Sequence, residues 1–133
     1  MIEIGKLRNL GPLDEVNLKV AGISSADQLL EGFSSKKARR KLSKATGIEE
    51  KKLLAWVRQA DFLRIKGVGP SYAGLLEASG LGSASALGEF DAQDLLDLLV
   101  KTNEDENQVG HLPGLSELEG WIDQAKDLEE LVK

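Results

Sequence analysis

Residues 10–29, LGPLDEVNLKVAGISSADQL, align without a gap to residues 68–87, VGPSYAGLLEASGLGSASAL, at an offset of 58. Gly11, Pro12, Leu18, Gly22, Ser25, Ala26 and Leu29 recur as Gly69, Pro70, Leu76, Gly80, Ser83, Ala84 and Leu87. Further on, LLAWVRQA (53–60) aligns with LEGWIDQA (118–125), setting Trp56 on Trp121, Gln59 on Gln124 and Ala60 on Ala125. The offset there is 65, so the second copy has gained residues, assigned to the polar stretch NEDENQVGHLPG. A repeat of this length in 133 residues means two copies of one supersecondary unit. They are expected to share one core without a linker, residues 1–62 forming the first half and 63–133 the second.

Each copy reads as helical. Valine, isoleucine, threonine and aromatic residues nowhere alternate over the length of a strand, whereas leucine and alanine return every three or four residues. Ser25 with Gln28 forms a capping box that opens a short helix ending near Gly32. SSKKARRKLSKATG starts a helix at Ser34 or Ser35 and ends it at Gly47. In EEKKLLAWVRQADFLRI, Leu53, Trp56, Val57, Ala60 and Leu63 share one face. Pro70 begins a helix that runs to Ser79, Ser83 caps a short segment, and Asp91 opens DAQDLLDLLVKT. Residues 103–114 read as a loop, and Ser116 with Glu119 as the box opening the last helix, through WIDQAKDLEELV. The fold class is therefore all-α.

Charge divides along the chain. Residues 1–66 carry 14 Lys/Arg and 8 Asp/Glu, a net of +6; residues 67–133 carry 3 and 14, a net of −11. Such a split points to a polyanionic partner or to attraction between the halves. The chain has no cysteine, which excludes a disulfide framework and thiolate metal sites and fits a cytoplasmic setting. No apolar run is of membrane-spanning length, and no basic-then-apolar leader is seen at Met1.

The stretch IKGVGPSYAGLL (65–76) holds the most informative turn. Gly67 and Gly69 allow backbone angles and close approaches that a side chain forbids. A turn running into a helix leaves amide groups without partners, at the positive end of the helix dipole, where a phosphate oxygen is favoured. No strand precedes it and no third glycine follows at nucleotide-fold spacing, which argues against a dinucleotide site.

RIKGVGPSYAGLLEASG (64–80) resembles the helix-hairpin-helix family, as found in the DNA-binding hairpins of DNA polymerase beta, bacterial ligases and Holliday-junction proteins. Across nearly the whole chain, the doubled arrangement also resembles a bacterial domain family of unknown function with two hairpin-containing halves. The resemblance implies amide contacts to a nucleic-acid phosphate at Gly67, Gly69 and Ser71. It also implies a monovalent cation, K+ or Na+, held by the backbone carbonyls of Leu63, Ile65 and Val68. The first copy departs from the pattern: Asn9 stands where the first glycine would be, and asparagine also tolerates left-handed angles. Ser71 and Gly74 stand where DNA-binding relatives carry lysine or arginine.

KKARRKLSK (36–44) is the strongest basic patch. Lys36, Lys37, Arg39, Arg40, Lys41 and Lys44 surround most of its helix, leaving Ala38, Leu42 and Ala45 to pack. Trp56 and Trp121 read as core residues, and Tyr72 as half-buried. His111 stands alone in a loop, and Asp91, Asp94 and Asp97 lie along one helix without the pattern of a calcium loop. With no nucleophile elbow, phosphate-loop lysine or triad, the sequence predicts no enzyme and no small-molecule substrate. The leading expectation is a non-catalytic module that contacts a DNA or RNA backbone without strong sequence preference. Arg64, Lys66, Lys37, Arg40, Lys41 and Lys44 would supply the field, and Gly67, Gly69 and Ser71 the amides. The alternative is a protein–protein adaptor whose hairpins are only structural.

Overall fold

Most helix boundaries fall where the capping residues put them. The computed structural model describes residues 2–133. Among these are seven α-helices and no β-strand: α1 (Pro12–Val20), α2 (Ala26–Phe33), α3 (Lys36–Thr46), α4 (Glu50–Phe62), α5 (Pro70–Ala78), α6 (Ala92–Glu106) and α7 (Leu115–Lys126). Short 3-10 turns occupy Ile4–Lys6 and Ser85–Glu89. The chain is thus all-α, as expected. At the start of α2, the Gln28 amide donates to Ser25 Oγ (3.2 Å) while Gln28 Oε1 accepts from the Ser25 amide (3.3 Å). The box predicted there is present. Gly47 closes α3 in the left-handed region, with φ 76°.

Three boundaries differ from expectation. Asn103–Glu106, read as loop, continue α6, because Asn107 ends the helix in a left-handed conformation and the Asn103 amide side chain binds both backbone groups of Val109 (3.0 Å each). The last helix starts two residues earlier than the Ser116–Glu119 box predicts: Gly114 is its N-cap, and the Gly114 amide donates to Glu117 Oε1 (3.4 Å). It also stops at Lys126, and residues 127–133 cross back over the first half without helical structure. Leu131 and Val132 pack there, and the Lys133 amide donates to the Ser34 carbonyl (2.9 Å).

The apolar interior also differs from the single core expected. Ile4, Leu18, Leu29, Leu53, Trp56 and Val57 belong to one cluster, and Phe62, Ile65, Leu75, Leu76, Leu95 and Trp121 to another, with Leu63 packed against both. The reason lies in α4, which carries polar groups at its inner end. Gln59 and Asp61 are completely buried, and their hydrogen bonds need polar neighbours where a shared apolar core would otherwise run. Asp61 Oδ2 accepts the Ala84 amide (2.8 Å). At the aligned Ala26 the acceptor is instead the Ile2 carbonyl (2.8 Å).

The aligned stretches are clamped in the same way. Gln59 Oε1 accepts the Arg8 amide (2.7 Å) and its Nε2 donates to the Arg8 carbonyl (3.3 Å). Gln124 Oε1 accepts the Lys66 amide (2.8 Å) and its Nε2 donates to the Lys66 carbonyl (3.1 Å). The residue that follows each clamp is left-handed, Asn9 at φ 65° and Gly67 at φ 98°. Asparagine therefore takes the angle that its position requires.

Both clamps are testable by stability. Gln59→Ala strands the Arg8 amide, leaves the Arg8 carbonyl with only the Trp56 indole as donor (3.1 Å) and removes a donor to Glu77, so a loss of about 2–4 kcal/mol is expected in urea melts. Gln124→Ala, at a more exposed site, is expected to cost about 1 kcal/mol. Trp56→Ala and Trp121→Ala, both at buried indoles, are each expected to cost about 3–5 kcal/mol. Equal losses for the two glutamine variants would contradict the burial argument.

Candidate functional site

The turn between α4 and α5 is built by short-range bonds. The Ile65 amide donates to the Phe62 carbonyl (3.1 Å) and the Val68 amide to the Ile65 carbonyl (3.1 Å), which buries Ile65 and Val68 and turns the chain outward at Lys66 and Gly67. Gly67 is required twice over. Its φ is 98°, and a Cβ there would sit 3.0 Å from Trp121 Nε1. Gly69 is different. Its φ of −91° suits any residue, and a Cβ would meet nothing within 4 Å. The fold does not demand glycine at 69, and the missing side chain leaves the amide approachable.

Among the described residues, the amides of Gly67, Gly69 and Ser71 donate to no acceptor in the chain. They stand at the N-terminal end of α5, where the dipole favours an anion. The aligned turn before α1 is closed by its own side chain: Asp14 Oδ2 accepts the Gly11 amide (3.3 Å). Tyr72 occupies the position aligned with Asp14. It turns away, tilting against Trp121 (ring centroids 5.4 Å apart) and donating its hydroxyl to the His111 carbonyl (2.9 Å). The two turns differ at one aligned amide, which a carboxylate accepts in the first turn and nothing accepts in the second.

The predicted cations divide into free and engaged. Lys37, Arg40, Lys41 and Lys44 are exposed and share one face of α3, and Arg40 alone meets a carboxylate, Glu50, at 4.0 Å. Lys66 is exposed and its ammonium makes no ion pair among the described residues. Arg64 is not available as expected. Its Nε donates to the buried carboxylate of Asp61 (2.7 Å), with a second contact through its terminal nitrogen, and it also donates to the Glu129 carbonyl (3.0 Å). A guanidinium is the natural partner for a carboxylate buried beside it, and that need holds Arg64 inward.

Arg39 also leaves the basic face. It is buried and donates to the carbonyls of Phe33 (3.0 Å), Ser34 (2.7 Å) and Lys133. Burial, and then the nearby Arg58 charge, hold its pKa below the usual arginine value, with Glu50 acting in the opposite sense. Ala45, expected to pack, is exposed. Arg39 occupies the apolar flank of α3 beside Leu42, and that position in the sequence was the available sign of its burial.

Leu63, Ile65 and Val68 bring neutral oxygen donors to the open turn. The carbonyls of Leu63 and Val68 accept no hydrogen bond from the described residues, and that of Ile65 accepts one. These hard, uncharged donors fit the K+ or Na+ that the resemblance implies. No group of three or more His, Cys, Asp or Glu among the described residues could hold a metal ion. The aspartates along α6 are exposed, and Asp91 beside Asp94 raises the Asp94 pKa.

A polar network not foreseen in the sequence lies next to the first turn. Arg8 donates to Gln108 Oε1 (2.8 Å) and Glu106 Oε2 (2.7 Å) and stands 3.7 Å from Glu77. The Arg8 stem lies against Gly74, where a Cβ would be 3.1 Å from it, so this contact accounts for the glycine at that position. Glu77 is half-buried and accepts from Gln59 Nε2 (3.2 Å). Burial raises its pKa, against the opposing pull of Arg8 and the Gln59 hydrogen bond.

A family model described as a domain of unknown function, DUF4332, matches residues 8–128. The chain belongs to that family. No curated protein and no solved structure matches it. No helix among the described residues is long and apolar enough to cross a membrane.

The raised pKa of Glu77 sets a pH dependence. An acid whose pKa is higher folded than unfolded binds more protons in the folded state, so stability falls as pH rises from the ordinary 4.5 through the raised value. Glu77→Gln removes that loss. Its stability relative to the parent is expected to improve between about pH 4 and pH 8 in urea melts. A difference that does not change with pH, or changes in the opposite sense, would contradict the assignment.

Proposed function

We propose that this DUF4332 domain is a non-catalytic module that binds the phosphate backbone of nucleic acid without strong sequence preference, through a helix-hairpin-helix turn at Leu63–Ser71. The observation that carries the reading is the contrast between two turns of the same design. The first has its Gly11 amide satisfied by Asp14; the second leaves the aligned Gly69 amide unpartnered, at an uncrowded glycine and beside the equally unpartnered amides of Gly67 and Ser71. Three donors at a helix start suit one phosphate. Lys66 and the exposed row of Lys37, Arg40, Lys41 and Lys44 would add a field for neighbouring phosphates. A monovalent cation on the carbonyls of Leu63, Ile65 and Val68 would add positive charge beneath the turn. Arg64 contributes to folding in this reading, not to contact with the ligand. The only aromatic residue at the turn, Tyr72, is engaged with Trp121 and His111, which favours backbone contact over base stacking.

One observation favours a protein–protein adaptor as a second reading. Leu13, Val16 and Val20 form an exposed apolar row on α1, at 72%, 56% and 84% exposure. An apolar row of this kind is a surface for another protein.

Two variants separate the readings. Gly69→Ala puts a methyl group beside the open amide while the fold has room for it. Its stability is expected to equal or exceed the parent by up to about 1 kcal/mol, with affinity for a short duplex falling at least about five-fold in low-salt anisotropy. Replacing Lys37, Arg40, Lys41 and Lys44 with glutamate is expected to abolish binding while leaving helicity intact. Unchanged duplex binding by both variants would overturn this surface, and no duplex binding by the parent would overturn the nucleic-acid reading and leave the α1 row as the working surface.

A further inference from the structure

We infer that the groove between α3, α4 and the C-terminal segment is a binding site for a phosphomonoester dianion. The groove holds about 340 Å³ and is lined by Lys36, Arg39, Glu50, Lys51, Leu54 and Lys133. Four cationic side chains from three separate segments meet one carboxylate there. The volume suits a single phosphoryl group with a small substituent and is far too small for a duplex. It lies on the flank of α3, next to the exposed row of cations.

Three features describe how this charge is assembled. First, Arg39 is 4% exposed, and its guanidinium is spent on the carbonyls of Phe33, Ser34 and Lys133. Those bonds, with the Lys133 amide on the Ser34 carbonyl, fix the backbone that presents Lys133 to the groove. Second, Arg58 follows Leu54 one turn along α4, and its Nε is buried without a partner. Its charge disfavours that of Arg39, so positive charge is concentrated here beyond what Glu50 neutralises. Third, the first turn of α3 carries Lys36 and Lys37 and no acid. The helix dipole disfavours cations at that end, where acids are the stabilising choice. The unpartnered Arg58 Nε and the acid-free first turn of α3 each break a local rule beside this groove, a pattern that goes with binding sites.

A dianion resolves the conflict. Lys36, Lys51 and Lys133 can each donate to a phosphoryl oxygen, and the buried guanidinium supplies field without a direct bond. Two sources carry this chemistry: the terminal phosphate of a nucleic-acid strand, or a free phosphorylated small molecule. The inference does not depend on duplex binding at the open turn.

The first test uses inorganic phosphate alone, titrated into the full chain and followed by amide-resolved NMR. Saturable shifts are expected at residues 36, 37 and 51. The exposed double variant Lys36→Gln with Lys51→Gln should keep its helicity by circular dichroism and bind phosphate at least about five-fold more weakly. Lys6→Gln with Lys101→Gln, exposed and away from the groove, should bind like the parent. Shifts that do not saturate, or equal weakening by both double variants, would overturn the inference. A second test compares a duplex carrying a 5′-phosphate with the same duplex carrying a 5′-hydroxyl. Tighter binding of the phosphorylated duplex, lost in the Lys36/Lys51 variant, supports a strand terminus as the source. Equal binding of the two, with phosphate still saturating the groove, supports a free phosphorylated molecule.

Discussion

Gln59 is the side chain on which the arrangement turns. It is fully buried in α4, and it accepts the Arg8 amide, donates to the Arg8 carbonyl and donates to Glu77. One neutral amide thereby ties the turn before α1 to the helix after the second turn. A buried amide with its hydrogen bonds made stabilises modestly, but one left unmade is expensive. The position of Arg8 follows from that constraint. Once its backbone is held, its guanidinium reaches Glu106 and Gln108, and its stem lies on Gly74. Gln124 makes the equivalent clamp on Lys66 at a more exposed site, and Lys66 is left pointing to solvent. The same local device thus produces a buried joint in one place and an exposed turn in the other.

From that difference the chemistry of the surface follows. At the joint the Gly11 amide is bonded to the Asp14 carboxylate. The exposed turn has Tyr72 at the aligned position and keeps its amides open. Positive charge is arranged in the same economical way. Arg64 and Arg39 are consumed inside the protein by Asp61 and by backbone carbonyls, while the lysines remain outside. Guanidinium groups suit buried, multiply bonded positions, and the more strongly hydrated ammonium groups suit the surface. A net acidic chain therefore still carries a concentrated cationic face on α3.

Much of this was legible in the residues. Capping chemistry is local, so Ser25 with Gln28, Gly47 and Pro70 marked their helix ends correctly. The repeat identified Gln59 with Gln124 and Trp56 with Trp121, and both pairs are half or fully buried in aligned positions. Asn9 proved a true substitute for glycine because a single left-handed angle is a local requirement. What sequence reading missed depends on contacts distant along the chain. Arg39 looks like one more cation of a basic helix until the chain near Lys133 returns to meet it. Arg64 looks free until Asp61 is seen to be buried. The end of α7 at Lys126 is decided by Leu131 and Val132 packing on the first cluster, and no capping signal announces it. The Ser116–Glu119 pair was misleading because Glu117 caps the Gly114 amide two residues earlier.

The asymmetry between the two turns is the central claim, and an amide-resolved NMR titration with a short duplex at low salt tests it most directly. The amides of Gly67, Gly69 and Ser71 should shift together with those of residues 37–44, and the shifts should reverse as salt is raised. The Gly11 amide, already bonded to Asp14, should not move. Gly67, Gly69 and Ser71 unmoved at saturating duplex, or Gly11 responding as strongly as Gly69, would contradict the account.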